Sequence, residues 1–154
     1  MRIAISTDHG GIELKKALVK YIRSLGYDLI DFGTDSEESV DYPDFAAMVG
    51  KAIQDKKVEK GIVICGSGVG VCITANKMKG VYAATCHDTY SARQGVEHDN
   101  MNVLCLGGRV ISIEQGKDLV KAFLEARFIG YDAGMERHLR RVTKFRNIEE
   151  EEMN

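Results

Sequence analysis

Apolar residues follow two different spacings along the 154-residue chain. Short continuous apolar runs are typical of strands buried in a parallel sheet, and apolar residues that recur every three or four positions are typical of amphipathic helices. The runs predict five strands, over residues 2–6, 27–32, 61–65, 80–85 and 102–106. The periodic stretches predict helices over about 12–25, 43–53, 69–78, 88–97 and 113–126, with a last helix that ends near residue 148.

Strands and helices therefore alternate along the chain. This order predicts an α/β fold, a three-layer Rossmann-like α/β/α sandwich with a five-stranded parallel sheet and a C-terminal helix. The sequence contains no internal repeat and no linker, so residues 1–148 are expected to form a single domain. Residues 149–154 begin with four glutamates and are expected to form a solvated, frayed acidic tail.

A glycine-rich stretch after the third predicted strand is the strongest candidate for a reactive centre. It runs Val63-Ile64-Cys65-Gly66-Ser67-Gly68-Val69-Gly70 and is typical of a strand, a turn and the start of a helix. Because every second residue of the turn is glycine, its backbone N–H groups can approach an oxyanion closely. A helix N-terminus also favours the thiolate form of Cys65. The stretch is neither a Walker loop nor a dinucleotide fingerprint, and the alternative is a structural cysteine before a tight turn.

Other polar residues follow the predicted strands at the same edge of the sheet. Ligands of parallel α/β sheets bind beyond the carboxyl ends of the strands. Asp8 and His9 follow the first strand, His87 and Asp88 follow the fourth, and Arg109 follows the fifth. We therefore expect a pocket at this edge, although Asp8-His9 by itself also fits an Asx-type turn with an exposed histidine.

Two further groups of polar residues lie beside the last two predicted helical regions. His98-Asp99-Asn100 lies between the fourth predicted helix and the fifth strand, and His98 could exchange protons near neutral pH. Arg137 and Arg141 are four residues apart on the last helix and share a face, which suits the binding of a phosphate. A polar loop and a solvated basic face are the alternatives.

Composition and charge argue against several other classes of protein. The net charge of −2 gives no general attraction to nucleic acid or to a membrane surface, and no apolar run reaches the length of about 18 residues that spans a bilayer. The strand pattern begins at once, so we expect no signal peptide and a cytoplasmic location. No CxxC pair is present, so we expect reduced cysteines, with Cys72, Cys86 and Cys105 in the core. No cluster has metal-ligand spacing, so no metal is expected.

Taken together, six motifs in this order resemble those of ribose-5-phosphate isomerase type B, within the wider ribose/galactose isomerase family. The resemblance covers roughly residues 1–146. The motifs are Asp8-His9-Gly10-Gly11, Val40-Asp41-Tyr42-Pro43-Asp44, Cys65-Gly66-Ser67-Gly68-Val69-Gly70, His98-Asp99-Asn100-Met101-Asn102, Gly107-Gly108-Arg109 and the helix that carries Arg137-His138.

The resemblance implies that the enzyme interconverts ribose 5-phosphate and ribulose 5-phosphate through an enediolate, in the non-oxidative pentose phosphate pathway, without a metal or another cofactor. By the same resemblance Cys65 is the base, and His98 opens the furanose ring. Ser67 replaces the more usual threonine but keeps a hydroxyl that can bond to the reacting oxygen. The backbone of the turn, at Gly66, Gly68, Val69 and Gly70, would stabilise the enediolate oxygen.

The remaining roles implied by the resemblance concern substrate binding and assembly. Asp8, Tyr42 and Asn100 would hold the sugar hydroxyls or the ring oxygen. The phosphate would lie on His9, Arg137 and Arg141, with Arg109 assisting. The family forms homodimers, which can pair into tetramers, and the resemblance implies active sites shared between chains. His98, Asn100 and Arg109 are then expected from across the interface.

Three alternatives stay open at this point. The first is the same chemistry on another sugar phosphate, such as galactose 6-phosphate, allose 6-phosphate or a tetrulose phosphate. The second is a non-catalytic module that binds a sugar phosphate, and the third is a redox-sensing thiol protein.

Overall fold

Five parallel strands form the central sheet of the computed structural model, which describes residues 1–153. Across the sheet the strands lie in the order β2-β1-β3-β5-β4. This arrangement confirms the predicted five-stranded parallel sheet. The strands are β1 (Arg2–Thr7), β2 (Asp28–Asp31), β3 (Lys60–Cys65), β4 (Ala83–Thr85) and β5 (Val103–Gly107).

Six α-helices surround the sheet and complete the predicted three layers. Their bounds are α1 (Ile12–Ser24), α2 (Tyr42–Gln54), α3 (Val69–Ala75), α4 (Thr89–Asp99), α5 (Ile113–Glu125) and α6 (Glu136–Glu152). A short 3-10 helix, His9–Gly11, precedes α1.

Alternation along the strands gives each face of the sheet its own core. On β1, Ile3 and Ile5 pack with the apolar residues of α1, α4 and α5. Ala4, between them, points to the other face and packs with residues of α2 and α3. The same alternation places Ile64 in the first core and Cys65 in the second. The strand period of two therefore sends the Cys65 side chain towards the α2 and α3 layer.

The fourth strand is shorter than predicted. Residues 80–82 do not join the sheet. Side chains accept from the N–H groups of Gly80 and Tyr82, and the Met78 carbonyl accepts from the Val81 N–H, so none of the three N–H groups bonds to a neighbouring strand. Glu149 accepts from the N–H of Gly80 at 2.9 Å, and Asn102 accepts from the N–H of Tyr82 at 2.8 Å. The third helix is also shorter than expected and ends at Ala75.

The acidic tail is a correction to the sequence-based expectation. Residues 149–152 continue α6 rather than fraying. Glu149 also accepts a hydrogen bond from the Tyr82 hydroxyl at 3.2 Å, and Glu150 pairs with Lys79 at 2.9 Å. These contacts tie the end of α6 to the segment before β4, and they involve partners that the local sequence pattern does not reveal.

Candidate active site

The candidate site lies where the chain path across the sheet changes direction. From β1 the chain passes to β2 on one side, whereas β3 lies on the other side. The carboxyl ends of β1 and β3 therefore flank the crevice in which such sheets bind ligands. The loop after β1 carries Asp8 and His9, and the loop after β3 carries the stretch from Cys65 to Gly70.

Glycines allow the loops that follow β1, β3 and β5 to meet without side chains between them. A Cβ on Gly10 would lie 2.9 Å from the Gly66 nitrogen, and one on Gly108 would lie 2.7 Å from the Gly10 carbonyl oxygen. The Gly108 N–H donates to the Cys65 carbonyl at 2.8 Å. The backbone of the β3 loop is thus held between the other two loops.

Cys65 is the last residue of β3 and is only 5% exposed. Its Sγ accepts a hydrogen bond from the Gly68 N–H at 3.1 Å. Gly68 can turn its N–H back towards the sulfur because its φ is +80°, a conformation that glycine adopts without strain. A backbone donor is therefore aimed at the sulfur, and the thiolate is the form in which cysteine acts as a base or nucleophile.

Two side chains flank the glycine loop. Ser67 is exposed, and its Oγ accepts from the Val69 N–H at 3.2 Å at the start of α3. Its hydroxyl proton can therefore be donated to a ligand. The Tyr42 ring, at the start of α2, covers Gly70 so closely that a Cβ there would lie 2.6 Å from the Tyr42 Cζ. The third glycine of the loop is thus required for the approach of Tyr42.

Asp8 and His9 are fixed by local hydrogen bonds. The nearly buried Asp8 carboxylate accepts from the Gly10 N–H at 2.8 Å and caps the 3-10 helix. His9 Nδ1 accepts from the Val40 N–H at 3.2 Å, which assigns the proton of the neutral ring to Nε2. His9 also lines a cavity of about 370 Å³ together with Glu37 and Arg109. This cavity holds two groups suited to an anion, an imidazole N–H donor and a guanidinium, beside the carboxylates of Glu13 and Glu37.

Arg109 differs from its expected placement across a subunit interface. Its guanidinium lies over Gly66 of its own chain, where a Cβ on Gly66 would be 3.3 Å from Arg109 Nη1. The Arg109 N–H also donates to the Gly66 carbonyl at 3.0 Å. Because Arg109 follows β5 directly and β5 is paired with β3, its own chain carries it to the glycine loop.

His98 and Asn100 lie near the amino-terminal end of β5, whereas Cys65 lies at the carboxyl end of β3. His98 is in the last turn of α4, Asn100 follows that helix, and both precede Val103, the first residue of β5. Cys65 pairs in register with Gly107 at the other end of the same strand. Four residues of a parallel strand, at about 3.3 Å each, separate the two levels by about 13 Å. Within one chain, therefore, His98 and Asn100 do not reach the thiol.

His98 instead stacks on a histidine of the last helix. The ring centroids of His98 and His138 are 4.0 Å apart with 19° between the ring planes. The Gln94 side-chain nitrogen lies 2.9 Å from His98 Nδ1. His138 is 2% exposed, and its Nε2 has no hydrogen-bond partner within residues 1–153. Burial and the nearby positive groups, first His98, lower the pKa of His138.

The two arginines of the last helix belong to this second group. Arg137 and Arg141 are exposed on α6, and both contribute to lowering the pKa of His138. The structure therefore does not bring them together with His9 in one chain. His138 is absent from the predicted site residues, although it belongs to the Arg137-His138 motif on the last helix and lies between these arginines.

The other three cysteines pack in or against the core, as predicted, and all four thiols are free. Cys86 and Cys105 are buried, and burial is the main cause that raises the pKa of Cys86 to about 11. Cys72 is half-buried, and a hydrogen bond from the Cys105 thiol lowers its pKa to about 6. Among residues 1–153, no group of three or more histidine, cysteine or acidic side chains is arranged to hold a metal ion. No helix in this described part of the chain is long and apolar enough to cross a membrane.

Comparison with known proteins places this geometry in a defined class. Residues 3–145 match the model of the Ribose/Galactose Isomerase family. The chain is 41% identical to ribose-5-phosphate isomerase B of Escherichia coli over 149 residues, 97% of each protein. It is 42% identical to D-erythrulose-4-phosphate isomerase of Pectobacterium atrosepticum over 131 residues, 84% of this chain and 86% of that protein. The solved ribose-5-phosphate isomerase B of Clostridium thermocellum superposes with a TM-score of 0.92 at 44% identity, covering 98% of this chain and 99% of that one.

The fold and the relatives define a sugar-phosphate isomerase of the α/β class. The chain belongs to the Ribose/Galactose Isomerase family, as the six sequence motifs indicate.

Proposed function

We propose that the enzyme interconverts D-ribose 5-phosphate and D-ribulose 5-phosphate. The observation that carries this proposal is the buried Cys65 thiol, which accepts the Gly68 N–H and lies between the loops that bear Asp8 and Arg109. Isomerisation of an aldose next to its carbonyl requires a base, a stabiliser for the developing oxyanion and a second group that moves protons. Cys65 and the glycine loop would supply the first two, and His98 of a second subunit would supply the third.

In the proposed reaction the Cys65 thiolate removes the proton from C2 of the open-chain aldose. Negative charge then develops on the oxygen at C1, where backbone N–H groups of the glycine loop and the Ser67 hydroxyl stabilise it. A proton passes between the two oxygens of the enediolate, and the Cys65 thiol returns its proton to C1. This sequence leaves the ketose and regenerates the thiolate without a net change in protons.

We place the sugar phosphate with its reacting end on the glycine loop and its phosphate further out. His9 Nε2–H and the Arg109 guanidinium, which line one cavity, support the phosphate position. Asp8, which accepts from the Gly10 N–H, and Tyr42, which covers Gly70, would hold hydroxyl groups of the sugar. Asn100, Arg137 and Arg141 would complete the binding of the sugar and the phosphate from a second subunit.

We further propose a homodimer whose two active sites are shared, with pairing into a tetramer as a further step. The separation of His98 and Asn100 from Cys65 within one chain supports this proposal, because the proposed ring opening requires His98 at the same substrate. In a two-fold dimer, a contact from one subunit to the other is repeated in the reverse direction. Each dimer would then contain two complete sites.

Another sugar phosphate is the specific alternative, since one relative is named D-erythrulose-4-phosphate isomerase and is 42% identical. Side-by-side turnover of ribose 5-phosphate, allose 6-phosphate and erythrulose 4-phosphate distinguishes these substrates. We expect the highest kcat/KM for ribose 5-phosphate, unchanged by a chelator. A higher value for either competitor would reassign the substrate, and binding without exchange of the C2 proton into solvent would indicate a non-catalytic module.

Shared sites can be tested by mixing two inactive variants, Cys65→Ala and His98→Asn, after each has been shown to lack turnover. When equal amounts of the two variants pair at random, about half of the dimers contain one subunit of each variant. Each such dimer has one intact site of its two, so about a quarter of the wild-type activity should return. If His98 acted within its own chain, the mixture would stay inactive. As the control, the two variants are assayed together immediately after mixing, before their subunits exchange, and this sample should show no turnover.

A further inference from the structure

Lys15 is a buried lysine outside the catalytic loops, and it pairs with two carboxylates. Lys15, on α1, is 1% exposed, and its Nζ lies 2.9 Å from both carboxylate oxygens of Asp31 and 2.7 Å from Asp35 Oδ1. A charge in the interior is costly unless it is paired or hydrogen-bonded, and Lys15 is held by two carboxylates. The Lys15 side chain therefore joins the first helix to the end of β2 and to the segment that follows it.

That segment, residues 33–41, has no buried residue of its own. Apolar packing does not fix its path, so polar contacts must do so. At its start the Thr34 N–H donates to the Thr7 carbonyl at 2.8 Å, and the Gly33 N–H donates to Asp31 Oδ1 at 2.9 Å. The Lys15 contact with Asp35 is the next anchor along the segment.

The same segment bears directly on two residues of the candidate site. Near its end the Val40 N–H donates to His9 Nδ1 at 3.2 Å. The segment then leads into α2 at Tyr42, whose ring covers Gly70. An imidazole that accepts at Nδ1 keeps its neutral-state proton on Nε2, where it can be donated to an anion.

We infer that Lys15 is a positioning residue, which fixes segment 33–41 so that Val40 holds the His9 ring as an Nε2–H donor to the substrate phosphate. The identity of the anion as a sugar phosphate rests on the proposed function. The contacts that link Lys15, the segment and His9 are independent of that function. Phosphate binding, rather than proton transfer at C2, is the step that Lys15 serves.

The test compares Lys15→Met with Lys16→Met. Methionine fills much of the buried volume without a charge, and Lys16 is an exposed lysine on the same helix that pairs with Glu13, at 3.7 Å, and makes no hydrogen bond to Asp35 within residues 1–153. A third variant, Asp35→Asn, weakens the same anchor from the exposed side, where the Asp35 side chain is 76% exposed and its loss leaves the core intact. Asp35→Asn decides the question if Lys15→Met does not fold.

The first readout is the ¹⁵N spectrum of the His9 imidazole, which does not depend on turnover. We expect a single Nε2–H tautomer in the wild type and in Lys16→Met, and mixed tautomers in Lys15→Met and Asp35→Asn. Titration of inorganic phosphate against the same signals should show weaker binding in the last two variants. An unchanged His9 spectrum and phosphate affinity in both would overturn the inference.

The second readout is kinetic. Loss of one hydrogen bond to a charged group is worth about a factor of ten in binding. We therefore expect Lys15→Met to raise KM for ribose 5-phosphate about tenfold with kcat within about twofold of the wild type. A fall in kcat at constant KM would contradict the inference. If the wild type turns over no sugar phosphate, the proposed function fails, whereas the His9 spectrum still decides the role of Lys15.

Discussion

The close contact between Gly10 and Gly66 allows a direct test of whether turnover depends on the position of the glycine loop. A Cβ on Gly10 would lie 2.9 Å from the Gly66 nitrogen and 3.2 Å from Asp8 Oδ1. Both neighbours are parts of the proposed site, and neither is the free end of a long side chain. The substitution Gly10→Ala therefore moves either the glycine loop or the Asp8 carboxylate.

The size of the effect follows from the distance. Restoring ordinary contact at about 3.4 Å requires a displacement of about 0.5 Å between Gly10 and Gly66. A misplacement of about 1 Å in an active site can cost about a hundredfold in rate, so we expect Gly10→Ala to lower kcat about tenfold. Overpacking of about 1–3 kcal/mol should lower Tm by roughly 2–12 °C in a protein of this size.

The assay is steady-state isomerisation of ribose 5-phosphate beside thermal unfolding of the same samples. Gly50→Ala, on α2 and away from the glycine loop, is the matched control, because its Cβ would meet the flexible end of the Met78 side chain. We expect Gly50→Ala to keep wild-type kcat. Wild-type kcat and KM in Gly10→Ala, or a loss of stability alone, would refute the claim that loop position controls turnover.

Three further outcomes are expected. Cys65→Ala should lower kcat by about 10²–10⁴, the range for a general base, whereas Cys86→Ala should keep it, measured with the same isomerase assay. Burial lowers the pKa of Lys60 to about 8, so as the pH rises the folded chain releases this proton before the unfolded chain does. The wild type should therefore gain unfolding free energy relative to Lys60→Met between pH 8 and about 10.5, measured by urea titration at each pH. The Cys105 thiol is the main group that lowers the pKa of Cys72, so Cys105→Ala should raise the pH midpoint of Cys72 alkylation, followed by mass spectrometry. A flat stability difference or an unchanged midpoint would contradict the last two.

The elements of the fold were predictable because local periodicity reports which face of each segment is buried. The limits of the elements were less predictable where a side chain from elsewhere decides them. The fourth strand begins late because Asn102 takes the N–H of Tyr82. The last helix runs on to Glu152 because Glu149 finds the Gly80 N–H and the Tyr82 hydroxyl. Such partners are distant in sequence and leave no trace in a local pattern.

The candidate site was predictable to the extent that it follows from sheet topology. Loops after parallel strands share one edge, and the loops that carry Asp8, Cys65 and Arg109 therefore meet there, with Arg109 reaching Gly66 of its own chain rather than of a partner. The stacking of His98 on His138 depends on how α6 packs against α4, which no spacing reveals. Lys15 left a signal, since it stands three residues before Leu18 in the buried stripe of α1, but a lysine in a helix pattern is normally read as a solvent-facing charge.

The division of the polar residues between the two edges of the sheet has a consequence for assembly. In the proposed mechanism a monomer would have the base, Cys65, but no His98 within reach of the same substrate. Turnover would therefore depend on the association of two subunits. Val69 and Ile73, one helical turn apart on α3, are both exposed beside the glycine loop. A second subunit that covered this apolar pair would exclude water from the thiolate and bring its own polar residues to the same loop. Dilution below the dimer dissociation constant should then abolish turnover while the fold, with both of its cores inside one chain, remains intact.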